Sequence, residues 1–469
     1  MTKPNEMTIE EAARALRARE LTVRDLWDAC AEAAHAKNPE LNAYLEIFDA
    51  DHAAIEAAQK RIDTEGEAAP RLCGIPLAIK DNILIEGKVA SAASKMLENY
   101  RATYDATVIK KLRAAGALFL GRTNMDEFAL GGSTENSAFG VTKNPHDASR
   151  VAGGTSGGSA AAVAAHLAIA ALGTDTGGSV RNPASYCGVV GLKPTYGAVS
   201  RSGIIAAASS FDQVGPITKT VADAGILFEA IAGPDPKDAT TIPTGLYGEQ
   251  KRERRVIGIP EELLEGVDPD MLAQFRATIV ALGYETKTIS IPSAKPSLAA
   301  YYIINFAEVS TNLARYDGIR YGHSAHGETL HEDYVRSRTE GFGRETTRRI
   351  LLGTFVLSSG YIDAYYRKAH AARTALRADY EKAFEQVDVI ATPTMPTPAF
   401  TIGAKADPLS LYLEDIFTVT ANLTGMPAIS VPMGTVEKLP VGIHFTAPHQ
   451  GEDTLFEFAT AAGEKQRRD

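Results

Sequence analysis

Four side chains in strand-end or glycine-rich settings could do chemistry: Lys80, which closes the apolar run CGIPLAIK; Thr155 and Ser156 in GGTSGGS; and Ser179 in DTGGSVRNPA. A serine hydroxyl attacks a carbonyl only when a base takes its proton and N–H donors stabilise the oxyanion that forms. Ser179 carries the means for the second requirement. Thr176, Gly177 and Gly178 precede it and can present backbone N–H groups, and the glycines let a ligand come close. Taken alone, TGGS is more often a plain turn, and Lys80 more often an ion-pair partner of Asp81.

Other chemistries fit the pattern less well. A phosphate-binding loop would need the GK[ST] ending that is missing here, and Asp175 places a negative charge beside the site. Gly154-Thr155-Ser156-Gly157-Gly158 matches the GxSxG elbow of α/β-hydrolases. That elbow follows a buried strand, whereas NPHDASRVAG is polar and turn-like. His166, inside an alanine-rich run, reads as a satisfied core residue rather than a base. His323, His326 and His331 in HSAHGETLH lack the HExxH spacing and its glutamate, so no metal is expected in this chain.

The elements that must position these groups read as an α/β arrangement. Ala160–Leu172 is apolar, shorter than the roughly 20 residues of a membrane span, and reads as a buried helix. CGIPLAIKDNI has strand length; a helix over 106–115 and a strand over 117–121 follow, an alternation that predicts a sheet covered on both faces by helices. Residues 122–150 are polar and glycine-bearing, a long loop of the kind that usually has a function. Two amphipathic helices over 8–37 start at Thr8 and Thr22. The catalytic core runs over 70–233. Gly233-Pro234-Asp235-Pro236 and the polar residues to 254 mark a boundary, a helix-rich insertion covers 255–386, and the strands VDVIATPT, AISVP and VGIHFTA bring 387–469 back to the sheet.

Composition supports a large core in one dominant domain, since hydrophobic residues make up 45% and charged residues 23% of 469 residues. The net charge of -10 gives no basic footprint for a phosphate backbone, so any RNA contact falls to another chain. Cys30, Cys73 and Cys187 are widely spaced and odd in number, which predicts neither a disulfide framework nor a CxxC metal site and fits a reducing cytoplasm. The N-terminal residues lack the basic-then-apolar pattern of a secretion signal.

The stretch RVAGGTSGGSAAAVAAHLAIAALGTDTGGSVRNPA, with Lys80 upstream, resembles the amidase signature family of hydrolases. That resemblance implies a large mixed α/β sheet and a Ser-Ser-Lys triad in which Ser179 is the acyl-forming nucleophile and Lys80 the base. The relay serine of the family lies 24 residues before the nucleophile, which is Thr155 in this chain. The resemblance also implies a cis peptide before that residue. A threonine keeps the hydroxyl, so a working Ser-Thr-Lys relay is expected; the alternative is a slowed enzyme in which Ser156 partly substitutes. A lysine ordinarily titrates near about 10.4, and burial at the end of GIPLAIK would bring it toward neutrality.

The similarity extends through SSFDQVGPITKTVADA, RTEGFGRETTRRILLGTFVLSSGYIDAYYRKA and DPLSLYLEDIFTVTANLTGMPAISVP, phrases of the branch whose members are A subunits of tRNA-dependent amidotransferases. This implies glutamine as ammonia donor, B and C subunits as partners in a heterotrimer, misacylated Glu-tRNA(Gln) or Asp-tRNA(Asn) reached through the complex, and ATP and Mg used by a partner, with no cofactor in this chain. Glutamine is a zwitterion, and the resemblance places a clamp for it at Arg349 and Asp415, with Tyr301 or Tyr302 nearby. Gly131, Gly132 and Ser133 resemble the loop that closes over the donor and leads toward an ammonia passage. Without the resemblance, Arg348-Arg349 would read as a solvated helix face and Asp415 as a surface acid. A free-standing amidase for small amides and a non-catalytic scaffold subunit remain as alternatives.

Overall fold

Pro76–Lys80 is apolar at every position but the last and buried throughout, the signature of a strand covered on both faces. It is β2 of a computed structural model that describes residues 2–243, 255–405 and 407–466. The strands are β1 (Tyr44–Ile47), β2 (Pro76–Lys80), β3 (Leu118–Thr123), β4 (Lys143–Asn144), β5 (Asp147–Val151), β6 (Ala170–Asp175), β7 (Val190–Lys193), β8 (Gln213–Thr218), β9 (Val256–Pro260), β10 (Glu285–Ile289), β11 (Val389–Pro393), β12 (Ala428–Val436) and β13 (Leu439–Thr446). Eleven of them form one mixed sheet in the order β1-β3-β2-β6-β8-β7-β12-β13-β11-β9-β10, while β4 and β5 make a separate hairpin. The chain therefore has an α/β architecture, with helices packed on a large mixed sheet.

One pairing positions the chemistry. β2 runs parallel to β6 with Leu77 opposite Ala170, Ala78 opposite Ala171 and Ile79 opposite Leu172. Both strands thus end at the same sheet edge, which brings Lys80 beside the residues that follow Asp175. Open α/β sheets bind ligands at the carboxyl ends of their strands.

The expected single helix over Ala160–Leu172 is two elements. A helix spans Gly157–Ala164, His166 turns at φ 59°, and Ala170 begins β6. A short apolar run buried on all sides fits helix and central strand equally, so its periodicity could not divide it. His166 is half-buried at that turn with Nδ1 unpartnered, so it is not a satisfied core residue. It lies at the far end of the helix from Thr155.

Helices Ile9–Arg17 and Val23–Leu41 start at the expected caps, where Thr8 and Thr22 accept from the N–H groups of Glu11 and Asp25. Residues 122–150 are pinned rather than loose: Asn124 Nδ2 donates to Gly140 O at 2.8 Å and to Thr142 Oγ1 at 3.1 Å. Of the boundary read at 233–254, residues 244–254 lie outside the described residues. The 255–386 stretch carries helices Pro269–Leu282, Ser297–Asn312, Leu330–Gly341, Arg344–Val356 and Tyr366–Ala383, and it also supplies β9 and the edge strand β10. Gly353 lets Arg344–Val356 cross Ser297–Asn312 closely, since a Cβ there would stand 1.9 Å from Phe306 O. Among the described residues no helix is long and apolar enough to cross a membrane.

Candidate active site

Lys80 is fully buried, with Nζ 2.7 Å from Thr155 Oγ1, 2.8 Å from Ser156 Oγ and 3.2 Å from Thr174 O. It makes no ion pair with Asp81, whose carboxylate is held 3.0 Å from Arg122 Nη1 and by Ser91. Burial brings Lys80 down to about 7, against the pull of Asp126, Asp175 and Asp212 in the opposite direction. A large fraction of the amine is therefore neutral near pH 7, as a base must be. The Gly154–Thr155 peptide is cis. The N–H of Ser156 donates to Ser179 O at 3.1 Å, which ties the GGTSGG turn to the backbone of the Ser179 loop.

That loop is braced from behind by a buried ion pair. Arg181 grips Asp175 with Nε on Oδ2 at 3.0 Å and Nη2 on Oδ1 at 2.9 Å, and both side chains are fully buried. Arg181 also donates to Thr418 O and Asn422 Oδ1, and its Nη1 meets His444 Nε2 at 2.9 Å. The guanidinium and the hydrogen bonds hold Asp175 far below the usual carboxylate range despite its burial, and burial with the facing Arg181 keeps His444 neutral. A charge buried this deeply is tolerable only when paired and hydrogen-bonded.

Asp175 accepts the N–H of Gly178 at 2.9 Å and that of Val180 at 3.1 Å. This corrects one expected oxyanion donor: the Gly178 amide is already engaged, and at φ 137° this residue shapes the turn instead. Among the described residues the N–H groups of Thr176, Gly177 and Ser179 meet no acceptor. Gly177 is held from both sides. Thr418 Oγ1 donates to its carbonyl at 2.6 Å, and a Cβ on it would stand 2.3 Å from the Tyr301 hydroxyl.

Arg349 lies on the helix Arg344–Val356 and is 3% exposed, so it is no solvated face. Its Nε donates to Glu345 Oε1 at 2.8 Å and its Nη1 to Asn305 Oδ1 at 3.1 Å, leaving Nη2 without a partner among the described residues. The guanidinium lies over the Tyr302 and Tyr412 rings at 5.5 and 5.3 Å. Glu345 and these rings drive it still further toward the charged form than an ordinary arginine. Asp415 is also buried, with Oδ2 accepting from Tyr302 at 2.6 Å, and burial pushes its carboxyl up to about 7. One tyrosine therefore carries a cation over its face and the Asp415 carboxyl group on its hydroxyl. Thr418, one turn beyond Asp415, fastens this cluster to Gly177, and Asn305 links Arg349 to Tyr301.

The loop at Gly131, Gly132 and Ser133 packs on the Gly154–Thr155 turn. A Cβ on Gly154 would stand 2.6 Å from Ser133 N, Asn182 Nδ2 donates to Gly132 O at 3.3 Å, and Ser133 Oγ is buried with no partner. His323 bonds Glu340, away from the site, and no group of three metal-ligating side chains occurs among the described residues. Asp126, Thr174, Arg181, Asn305, Thr418 and Asn422 were missed from the sequence. Only Asp175 and Arg181, opposite charges flanking TGGSV, gave a signal in the primary structure.

A buried lysine on paired hydroxyls, joined through the Ser156 N–H to a serine loop with free amides, is the arrangement found here. The chain belongs to the amidase family, whose model matches residues 25–456. It is 50% identical to the A subunit of the glutamyl-tRNA(Gln) amidotransferase of Koribacter versatilis, over 97% of this chain and 98% of that one. The crystal structure of the corresponding glutamyl-tRNA(Gln) amidotransferase protein of Thermotoga maritima, again the A subunit, superposes with a TM-score of 0.81 at 41% identity, over 98% and 94% of the two chains. The peptide amidase of Stenotrophomonas maltophilia gives 0.82 at 29% identity, over 98% and 97%.

The contact between Lys80 and Thr155 makes a direct prediction. Thr155→Val keeps the shape and removes the hydroxyl, and lowers kcat by about a hundredfold or more if Thr155 is the relay. Thr155→Ser stays within about threefold of the native chain. A valine variant with native kcat in an amide-hydrolysis assay assigns the relay to Ser156 instead.

Proposed function

We propose that this chain is the glutaminase subunit of a tRNA-dependent amidotransferase, hydrolysing glutamine and passing ammonia to a partner that amidates Glu-tRNA(Gln), Asp-tRNA(Asn) or both. The observation that carries it is the clamp: Arg349 and Asp415, opposite charges buried on one tyrosine and fastened to Gly177. A small apolar amide has no use for two buried charges, which weighs against a free-standing amidase. Glutamine offers an α-carboxylate to Arg349 Nη2 and an α-ammonium to Asp415, with Ser133 Oγ as a further contact. Full-length likeness to the A subunits of amidotransferases points the same way.

In the proposed reaction Ser179 Oγ attacks the side-chain amide carbon, its proton passes to Thr155 Oγ1, and the Thr155 proton passes to neutral Lys80. The oxyanion forms toward the N–H groups of Thr176, Gly177 and Ser179. Collapse returns the proton through Thr155 to the leaving nitrogen, so ammonia departs and a γ-glutamyl ester stays on Ser179. Water, deprotonated along the same relay, releases glutamate. ATP and Mg belong to the amidation step on the partner, with B and C subunits as the heterotrimer and a cytoplasmic site of action.

The test is glutamine-dependent amidation of Glu-tRNA(Gln) by the chain copurified with its partner subunits. Arg349→Leu raises KM for glutamine by about a hundredfold, because one partner of a buried charge pair is lost, and leaves activity with free ammonia unchanged. Equal turnover of glutamine and a simple amide by the lone chain, indifferent to Arg349→Leu, sinks the proposal in favour of a general amidase. A native chain that is inactive until Thr155→Ser revives it would favour the scaffold.

A further inference from the structure

Asp126 and Glu127 are adjacent carboxylates, both buried, and neither has a part in the reaction above. They face opposite ways. Asp126 turns toward the relay: its Oδ2 accepts the N–H of Thr134 at 2.8 Å, its Oδ1 that of Asn136 at 3.0 Å, and its own N–H donates to Thr155 O at 3.3 Å. A Cβ on Gly154 would stand 2.3 Å from its Oδ2, and one on Gly131 2.4 Å from its Cγ. The donor loop and the relay turn are thus both moulded on this one carboxylate. Glu127 turns toward the clamp. It accepts the Ser94 hydroxyl, the N–H of Gly343 at 2.9 Å and the Thr346 hydroxyl.

Gly343 is the N-cap of the helix that carries Arg349, and Thr346 lies in its first turn. A cavity of about 390 Å³, lined in part by Glu127, Asn136, Gly343 and Glu345, opens between the 135–138 loop and the start of that helix. The Glu127 bonds hold the helix start on the side where this cavity opens.

We propose that Asp126 and Glu127 form a strut between the two halves of the site: Asp126 positions the relay and donor loop, and Glu127 positions the clamp helix. The proposal rests on the glutaminase reading for its substrate. It predicts a crossed pattern that general loosening of the fold does not give. Asp126→Asn can accept only one of the two loop amides and removes the charge nearest in effect to Lys80. Lys80 is faced by Asp126, Asp175 and Asp212, and Asp126 by Lys80 and Glu135. Loss of that negative charge favours the neutral amine, so the acid limb of the kcat profile moves to lower pH.

The experiment is glutamine hydrolysis by the full chain in its complex, with kcat and KM measured across pH. Asp126→Asn lowers kcat by about tenfold and moves its acid limb down by about one pH unit, while any rise in KM passed on through the Ser133 loop stays smaller than that of Glu127→Ala. Glu127→Ala raises KM by about tenfold with kcat within about twofold. Glu127→Gln, which can still accept from Gly343 and donate to Ser94, restores native KM. Parallel losses in kcat and KM for both positions, with an unmoved acid limb, overturn the strut. If the native complex turns over a simple amide and not glutamine, the proposed function fails instead, and the limb shift of Asp126→Asn read with that amide still decides for or against the strut.

Discussion

Ser179→Ala abolishes glutamine hydrolysis, with kcat lowered by at least about a thousandfold, while the protein melts as the native chain does. The expectation follows from where the hydroxyl sits. Its loop is shaped by Asp175 through the N–H groups of Gly178 and Val180, and by Thr418 through Gly177 O. None of those bonds involves the Ser179 side chain, so the alanine variant keeps the loop, the free amides and the clamp. What it loses is the only acyl acceptor that the relay serves. Ammonia supplied directly should restore amidation in the complex, because the partner's step does not pass through Ser179. Substantial glutaminase activity in the alanine variant would mean that Ser156 or a bound water attacks, and the assignment of the nucleophile would be wrong.

Lys80→Met gives the second large effect, a fall in kcat of about a thousandfold. Methionine fills the buried volume, so the loss reports the missing base rather than a cavity. The native pH profile carries the same information. With Lys80 brought down to about 7 by burial, protonation below that pH removes the base, and kcat falls by about tenfold for each further unit. Asp415, pushed up to about 7 by burial, adds a second acid limb, since only its carboxylate holds the donor's ammonium. Bound ammonium keeps that carboxylate ionised. The Asp415 limb therefore belongs to kcat/KM and disappears from kcat, whereas the Lys80 limb is in both. A kcat that is flat down to pH 5 would contradict lysine as the base.

Much of this site was legible in the sequence because its groups lie at the ends of elements with strong local signals. Lys80 closes an apolar strand run and Ser179 follows a glycine pair, which marked both as candidates, but their roles and the relay position 24 residues before Ser179 came from the family resemblance. Arg349 and Asp415 came from resemblance alone, and nothing local distinguishes a buried arginine from an exposed one in RETTRRILL. Their burial depends on Tyr302, Tyr412 and Phe306, which arrive from elsewhere in the chain. The supporting residues were hidden for the same reason. Thr418 and Asn422 lie more than two hundred residues from the loop they hold, and the role of Asp126 depends on a loop folding back onto it. The misread run Ala160–Leu172 has a different cause: alanine favours helix, so the run read as one helix to its end, while the turn at His166 and the pairing of β6 with β2 and β8 make its last residues a strand.

The central claim is that glutamine acylates Ser179. Mass spectrometry of the full chain, mixed with glutamine, quenched in acid within the first turnovers and digested, tests it most directly. The account predicts a γ-glutamyl ester on the peptide containing Ser179, present with native protein and absent from Ser179→Ala. An adduct on the Thr155-Ser156 peptide, or none at all while ammonia is being released, would contradict it.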